Sequence, residues 1–383
     1  MARILFGFAG GIGHLLPMAP IARAAQAAGH IVAVAGRPQH AAEVEALGLE
    51  AIPIGSDADE PDARTRLRRL SQRREDLVLR EGFARRIARE RVTALLPLAE
   101  RWRPDVLVCD EVDWGGMLAA ERLGLPHANV LVLAAGSFAR RSVVAEPLAE
   151  LRADLGLAPD PELAMLDRDL MLSPFPPSFR DPASPLPTTA HAIRPTGIAE
   201  ATDAERAAWR DDQRDAPVVY VTLGTVFNLE SGDLFERIFE GLGGLPLQVV
   251  ATVGRQLDPA ALAEVPDNVR VERYVPQSLL LPRCDAVVCH GGSGSVTGAL
   301  LHGLPMVVLP MGADQPMNAA RCETLGVGRT LDALHATPAD IGGALAAVLR
   351  DPTYRDAAVR MQAEISSLPD AAHAVRLLEG LLT

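Results

Sequence analysis

Two histidines beside glycine-rich turns are the residues best placed for chemistry in this 383-residue chain. The first, His14, closes the segment FGFAGGIGH, where an apolar run gives way to glycines and then to a helical pattern. Glycines let the backbone approach a ligand closely, and an imidazole titrates near neutral pH. His14 is therefore a candidate general base, although a capping or merely exposed histidine is the simpler interpretation.

An acidic cluster follows the apolar run Val106–Cys109 and offers His14 a partner. Ligands of doubly wound folds gather at the carboxyl ends of strands, which is where both His14 and Asp110 are predicted to lie. A carboxylate on the far ring nitrogen fixes the tautomer and raises its basicity. Asp113 suits the N-cap of the next helix better than Asp110, but the choice of partner between these two aspartates stays open.

The second histidine, His290, begins the segment HGGSGS after the apolar run Ala286–Cys289. Free N–H groups at a helix N-terminus, with glycines allowing close approach, form an anion site that needs no lysine. The hydrolase elbow G-x-S-x-G is not met, because Ser295 occupies its fifth position. The segment favours binding of a diphosphate.

Composition excludes several other kinds of chemistry. All 37 basic residues are arginine, which excludes a P-loop lysine, a pyridoxal Schiff base and a Ser-Lys hydrolase. The net charge of -12 argues against nucleic acid and anionic membranes as partners. A dinucleotide site is disfavoured too, since the first turn lacks the third glycine and the second strand ends at Gly36 and Arg37 without a carboxylate.

Strand-like apolar runs alternate with helical patterns, which predicts an α/β protein with parallel sheets. The predicted helices include Pro17–Ala28, Leu234–Leu242, Gly294–His302 and Asn318–Leu325. The predicted strands are Arg3–Phe8, Ile31–Ala35, Val106–Cys109, Asn129–Leu133, His191–Arg194, Val218–Thr222, Leu247–Thr252, Val269–Glu272, Ala286–Cys289 and Met306–Val308.

The charged segment 200–217 is the predicted linker between an N-terminal domain (1–199) and a C-terminal domain (218–383). Packing of the last helix back on the N-terminal domain is left open. Residues 57–91 carry eleven arginines among acidic residues, which predicts a solvated helical flap or a mobile loop on the acceptor side. Residues 134–190 are Pro-rich and predicted to be irregular.

The segment from Tyr274 to Gly328, beginning YVPQ and containing HGGSGS and MGADQPMNA, resembles the nucleotide-sugar signature of family 1 glycosyltransferases. It is most similar to the bacterial enzymes that glycosylate antibiotic aglycones. The segments GGIGHLLPM, PDVLVCD and VTLGT match the same family, so the resemblance covers nearly the whole chain. It implies the GT-B fold, two Rossmann-like domains whose parallel sheets face each other across a cleft.

The resemblance also implies a role for individual residues. His14 matches the family's catalytic base, a histidine, and Asp110 matches the aspartate that pairs with it. Nucleotide-sugar contacts map onto residues of five segments: Gly13; Thr225; Tyr274, Val275, Pro276 and Gln277; His290, Gly292, Ser293, Gly294 and Ser295; and Asp314 and Gln315. Of these residues, Tyr274 to Gln277 are implied to surround the nucleobase. His290, Thr225 and the turn Ser293–Ser295 are implied to contact phosphate, and Asp314 and Gln315 the sugar.

Three positions depart from the family pattern. Cys289 stands where a second histidine is frequent, and Ser293 and Ser295 replace the commoner Ala and Thr. These small changes leave the phosphate role intact. Ile12, Trp114 and Phe138 are expected to line the acceptor site, with core packing as the alternative.

The implied function is an inverting hexosyltransferase of the cytoplasm that moves a (deoxy)hexose from a TDP- or UDP-sugar to a hydroxyl of a small hydrophobic natural-product aglycone. No cofactor, metal, nucleic acid or membrane is implied, and a homodimer stays open. The alternatives are a nucleotide-sugar epimerase or hydrolase of the same fold, and a non-catalytic partner of a transferase. The identity of the sugar and aglycone, TDP versus UDP, and O- versus N- or C-transfer also stay open.

Overall fold

The computed structural model describes residues 1–57, 64–196, 216–262 and 265–382. Its described residues form two compact units. The first consists of residues 1–57, 71–196 and 368–382, and the second of residues 64–70, 216–262 and 265–367. Across these ranges no helix has the length and apolar character needed to cross a bilayer.

The first unit contains a seven-stranded sheet of order β3-β2-β1-β4-β5-β6-β7, in which every neighbouring pair is parallel. Its strands are β1 (Arg3–Gly7), β2 (Ile31–Gly36), β3 (Glu50–Pro53), β4 (Val106–Asp110), β5 (His127–Val130), β6 (Leu170–Ser173) and β7 (Ala190–Ala192). Because crossover helices cover such a sheet on both faces, its central strands are continuous apolar runs.

Helices α1 (Ile12–Leu15), α2 (Ala19–Ala27), α3 (Ala41–Ala46), α4 (Gln72–Leu77), α5 (Ala88–Trp102), α6 (Trp114–Leu123) and α7 (Arg141–Asp154) belong to the first unit. A π-helix (Val78–Ile87) joins α4 to α5 without a break. Short 3₁₀ turns occupy Pro38–His40, Ala164–Leu166 and Pro177–Phe179.

The second unit contains a parallel sheet of order β10-β9-β8-β11-β12-β13. Its strands are β8 (Val218–Thr222), β9 (Gln248–Thr252), β10 (Val269–Glu272), β11 (Ala286–Cys289), β12 (Met306–Val308) and β13 (Gly328–Thr330). Its helices are α8 (Leu234–Leu242), α9 (Gln277–Leu280), α10 (Ser293–Leu301), α11 (Gln315–Thr324), α12 (Pro338–Arg350) and α13 (Pro352–Ser367), with 3₁₀ turns at Phe227–Glu230, Pro259–Ala261 and Leu281–Arg283. Ion pairing of Arg64 with Glu236 at 2.5 Å and a backbone bond from Thr65 to Leu229 attach residues 64–70 here.

A final helix, α14 (Ala371–Gly380), packs against α2 of the first unit. Its apolar residues Ala374, Val375 and Leu378 join the core that β1, β2 and β4 share. A second tie is the backbone N–H of Arg194, which donates to the Pro369 carbonyl at 2.6 Å. The first unit is therefore built from both ends of the chain.

Each sheet has a switch point between two neighbouring central strands. From this point the strands follow one another in chain order towards one edge of the sheet and then towards the other. In the first sheet it lies between β1 and β4, and in the second between β8 and β11. Ligands of doubly wound sheets bind beyond the carboxyl ends of strands at this point. The turns that carry His14 and His290 follow β1 and β11, so each glycine-rich turn lies at the switch point of its own sheet.

The prediction of two Rossmann-like units with parallel sheets is confirmed. The prediction that residues 134–190 are irregular was wrong in part, because helix α7 and strand β6 lie within this range. The predicted helix Pro17–Ala28 corresponds to α2 (Ala19–Ala27), and a separate short helix, α1 (Ile12–Leu15), precedes it. Residues 58–63 of the flap and residues 200–215 of the linker lie outside the described residues, and the domain boundaries stay predictions.

Candidate active site

The structure brings His14 and Asp110 together at the carboxyl edge of the first sheet. Asp110 is the last residue of β4, and His14 lies on α1 directly after the turn that follows β1. Asp110 Oδ2 lies 3.4 Å from Nδ1 of His14. The Asp110 side chain is fully buried, whereas that of His14 is 23% exposed. A buried carboxylate behind a partly exposed imidazole is the arrangement that a general base requires.

Backbone N–H groups fix Asp110 in this position. Ala9 donates to Oδ2 and Val112 donates to Oδ1, each at 2.7 Å. Burial alone raises the pKa of Asp110, but the neighbouring His14 and the two N–H groups outweigh it, so the pKa lies below its usual range. Asp110 is therefore a carboxylate at neutral pH.

Asp113 is engaged elsewhere. Its Oδ1 accepts the backbone N–H of Gly116 at 3.0 Å and so caps α6, as the sequence predicted. Its Oδ2 lies 2.5 Å from Nη2 of Arg91, whose Nη1 donates to the Ala35 carbonyl at the end of β2. No local pattern in the sequence predicts this buried ion pair. It leaves Asp110 as the carboxylate beside His14.

Two further residues define the surroundings of the imidazole. A Cβ atom added at Gly10 would overlap the ring of His14, so the absence of a side chain there makes room for the histidine. Phe83, on the π-helix, stacks on the same ring with centroids 6.2 Å apart and planes inclined by 13°. Phe83 was missed because it lies in the charged flap, far from His14 in sequence.

The three predicted acceptor residues have different positions. Ile12 is half-buried at the start of α1. Trp114 is only 1% exposed, because it begins α6 inside the first unit; its ring is a core side chain and not an open wall, contrary to expectation. Phe138 is also buried.

A charged side chain, Glu111, directly follows Asp110 in the sequence. Burial raises the pKa of Glu111 to about 7, against the opposing effect of Arg180.

In the second unit, α10 begins directly behind the glycine-rich turn. Gly292 is its N-cap, and the first backbone bond of the helix runs from Val296 to the Gly292 carbonyl. The N–H groups of the three preceding helical residues, Ser293 to Ser295, have no acceptor within the helix. Aligned peptide dipoles add partial positive charge at this end, which therefore attracts an anion.

His290 is buried behind that turn, between two glycines. Its Nε2 would lie 2.6 Å from a Cβ atom at Gly224, and a Cβ at Gly292 would also overlap the ring. Burial lowers the pKa of His290 to about 4, although the Thr222 carbonyl opposes this effect. The imidazole is consequently neutral at neutral pH and carries a single N–H.

Asp314 and Gln315 are held by a buried network at the N-terminus of α11. Asp314 Oδ2 accepts the hydroxyl of Ser293 at 2.6 Å and Nδ2 of Asn318 at 2.8 Å. Asn318 also donates to the Gly291 carbonyl at 2.9 Å. Gln315 Oε1 accepts the backbone N–H of Met311 at 2.7 Å. Asn318 links the predicted phosphate turn to the predicted sugar residues, a role that no local sequence pattern indicates.

The residues predicted to bind the nucleobase, Tyr274 to Gln277, follow β10. Tyr274 is 40% exposed, and the Arg255 guanidinium lies 4.2 Å from the centroid of its ring. This cation–π pair lines a cavity of about 700 Å³ at the edge of the second unit. Val275 and Pro276 are buried, whereas Gln277 begins α9.

The remaining predicted residues lie on exposed turns. Thr225 follows β8 beyond Gly224, whose φ of 80° requires glycine. Gly13 is exposed on α1, and Gly294 is exposed in the first turn of α10. Each is therefore open to a ligand.

Comparison with known proteins agrees with this architecture. The family model for the N-terminal domain of Erythromycin biosynthesis protein CIII-like proteins matches residues 23–195, and the model for their C-terminal domain matches residues 236–381. Together the two models cover most of both units. The glycine-rich turn after β11 lies inside a matched region, whereas the turns after β1 and β8 lie outside both.

Relatives match from end to end. The 4'-demethylrebeccamycin synthase of Lentzea aerocolonigenes is 31% identical over 100% of both chains. The 3-alpha-mycarosylerythronolide B desosaminyl transferase of Saccharopolyspora erythraea is 28% identical over 99% of this chain and 98% of its own. Among solved structures, the spinosyn rhamnosyltransferase SpnG superposes with a TM-score of 0.81 at 27% identity, covering 99% of this chain and 100% of its own.

Another solved relative contains a nucleotide. The glycosyltransferase VinC in complex with dTDP superposes with a TM-score of 0.79 at 26% identity, covering 99% of each chain. The expected resemblance and the GT-B fold are both confirmed by these matches. The chain thus belongs to the Erythromycin biosynthesis protein CIII-like family and is a GT-B glycosyltransferase of the kind that modifies antibiotics and other natural products.

Proposed function

We propose that this glycosyltransferase moves a deoxyhexose from a thymidine diphosphate sugar to a hydroxyl group of a small hydrophobic aglycone, with inversion and without a metal ion. The first unit binds the acceptor and the second binds the donor. The observation that carries the proposal is the 3.4 Å approach of Asp110 to His14 at the first switch point.

The His14 and Asp110 pair supplies the base chemistry. Nδ1 of His14 faces Asp110, which favours the tautomer with its N–H on that nitrogen and leaves Nε2 to accept a proton. The acceptor oxygen attacks the anomeric carbon as Nε2 takes its proton, and the bond to the diphosphate breaks on the opposite side. Asp110 stabilises the imidazolium that results.

The second unit supplies the stabilisation of the leaving group. The amides of Ser293 to Ser295 at the N-terminus of α10 and the neutral imidazole of His290 face the predicted diphosphate position. Preorganised N–H groups of this kind stabilise charge that develops in the transition state. They make a divalent cation unnecessary for departure of the diphosphate.

Relatives support the identity of the donor. They include a desosaminyl transferase and an Aclacinomycin-T 2-deoxy-L-fucose transferase, and the solved complexes of VinC and SpnG contain thymidine diphosphate. A thymine ring stacked on Tyr274 beside Arg255 would complete the base site. We further propose a cytoplasmic location, since the net charge of -12 disfavours contact with anionic membranes.

The test is incubation with TDP-deoxyhexoses and a panel of macrolide and polycyclic aglycones in EDTA, with detection of glycoside by mass spectrometry. A glycoside formed in EDTA supports the proposal, and a strict Mg²⁺ requirement contradicts its metal-free part. Release of TDP at the same rate without an aglycone would indicate a hydrolase. TDP binding without turnover by any acceptor would favour an auxiliary protein.

A further inference from the structure

Phe83 lies against the imidazole of His14 but belongs to none of the predicted sites. The two rings are nearly parallel, inclined by 13°, with centroids 6.2 Å apart. We propose that Phe83 is a positioning residue of this transferase, which holds the plane of the His14 ring so that Nε2 points to the acceptor hydroxyl. The inference rests on the proposed role of His14 as the base.

Contacts from different directions restrict the imidazole. Asp110 holds the Nδ1 edge at 3.4 Å, and Gly10 leaves room for the ring where any side chain would overlap it. Asp110 alone limits where Nδ1 lies but still allows the ring to rotate about its outer torsion, which is broad for histidine. A stacked aromatic ring opposes that rotation, because tilting either plane loses contact area.

The element that carries Phe83 is unusual. Val78–Ile87 is a π-helix ten residues long, inserted between α4 and α5. Helices of this type are rare in proteins and occur frequently at functional sites, since they change the direction of a side chain within an otherwise regular helix. Here the π-helix buries Leu79, Ala84 and Ile87 while Phe83 stays half-buried beside His14.

Ion pairs attach the π-helix to α7 and so fix Phe83. Arg80 pairs with Glu146, and Arg85 pairs with both Glu146 and Glu150. One turn further on, the α5 residue Arg89 pairs with Asp154 at 2.6 Å. Individually such exposed pairs contribute little, but a row of them along two helices limits sliding between the helices. The aromatic ring is thus presented by a supported helix and not by a loop.

If Phe83 positions the base, its loss should affect turnover and not donor binding. Stacking of this kind corresponds to about a three- to tenfold change in rate. We expect Phe83→Leu to lower kcat by that factor while the KM for the TDP-sugar and the melting temperature stay within error. Phe83→Tyr, which keeps the ring, should restore most of kcat.

Val78→Ala serves as the matched control, since Val78 is an exposed apolar residue of the same π-helix. It should leave kcat unchanged. If Phe83→Leu fails to fold, Phe83→Met keeps the volume without the aromatic face and is expected to show the same loss. An unchanged kcat, or equal losses in the Leu and Tyr variants, would overturn the proposal. So would a rise in the acceptor KM at constant kcat, which would assign Phe83 to the acceptor wall.

His14→Ala separates this inference from the function on which it rests. If His14→Ala abolishes transfer and Phe83→Leu is silent, the proposed base stands and the positioning role fails. If His14→Ala retains full activity, the assignment of the base itself is wrong.

Discussion

Arg91 and Asp113 form an ion pair inside the first unit, with Nη2 and Oδ2 2.5 Å apart and both side chains almost fully excluded from solvent. The Asp113 carboxylate also caps α6, and the Arg91 guanidinium reaches the end of β2. The pair therefore fastens α5, α6 and the sheet to one another at the switch point. The two aspartates of this region therefore differ in their contacts. Asp113 pairs with Arg91 and caps α6, whereas Asp110, the last residue of β4, lies beside His14.

Removing one partner of this pair should destabilise the protein. Arg91→Met leaves Asp113 buried without its cation, for which we expect a loss of about 3–5 kcal/mol in the free energy of unfolding. The double variant Arg91→Met with Asp113→Asn should recover much of that loss. Urea denaturation of the three proteins checks this, and a double variant as unstable as Arg91→Met would contradict it.

Substitution of the proposed base and its partner should affect turnover and leave nucleotide binding intact. His14→Ala is expected to lower kcat about 10²–10⁴-fold, since general base catalysis is lost. Asp110→Asn should lower kcat by a comparable or smaller factor. Calorimetric titration with TDP should give an unchanged Kd for both variants. A silent Asp110→Asn, with a strong effect of Asp113→Asn on a folded protein, would reverse the choice of partner.

Glu111 should make stability depend on pH. Burial raises its pKa from 4.5 to about 7, so the folded protein binds more protons than the unfolded chain between these values. The stability that protonated Glu111 contributes is complete below about pH 4.5 and is lost as the pH rises through about 7. At pH 8, Glu111→Gln should exceed the wild type by about 2–3 kcal/mol in urea unfolding, with little difference at low pH.

Glu50→Gln, at an exposed strand position, is the control and should have no pH-dependent effect. Equal stability of wild type and Glu111→Gln at every pH would contradict burial of an ionisable group there.

His290 should contribute to donor binding as a neutral donor. His290→Ala is expected to weaken TDP binding about tenfold or more, because a hydrogen bond to a charged phosphate is lost. Since burial lowers its pKa to about 4, the ratio of wild-type to variant affinity should be constant from about pH 6.5 to 8. His335→Ala, at an exposed histidine of the same unit, is the control. A ratio that rises steeply towards pH 6.5 would mean that His290 binds as a cation.

Asn318 should matter for the donor through the residues it holds. Asn318→Ala removes donors to Asp314, Ser293 and the Gly291 carbonyl, so we expect both weaker TDP-sugar binding and a loss of about 1–3 kcal/mol in stability. Asn268→Ala is the matched control, because Asn268 donates to the carbonyls of Leu242 and Leu247 in the same unit. The control should lose stability alone; equal effects on binding in both variants would assign Asn318 a purely structural role.

Most strands of the second unit are predictable from the sequence at their observed bounds, such as Val218–Thr222 and Ala286–Cys289. These two are largely apolar runs followed by turns that contain glycine, and both signals are local. Helix α7 was missed because Pro147 lies inside it and argues against a helix. In this helix, burial of Leu148 and Leu151 overrides the preference of the proline.

The site was predictable to the extent that it follows from strand order. Asp110 ends a buried strand, His290 directly follows another and His14 lies just beyond the turn after a third; parallel strands end at one edge of a sheet. Phe83, Arg91 and Asn318 carry no comparable signal, because their importance arises from contacts with side chains on other elements. Only the packed structure shows which charged or aromatic residue of the segment 57–91 reaches the sheet edge that carries His14.

The return of α14 to the first unit affects how the protein is made. During synthesis on the ribosome, domains ordinarily fold as units, the N-terminal one first. Here Ala374, Val375 and Leu378 complete the apolar core beneath β1, and Glu379 lies 3.0 Å from the ring of His30, so the core of the first unit cannot close until the second has been synthesised. In the nascent chain the surface of α2 that receives α14 is therefore exposed to chaperones and proteases until α14 has been synthesised.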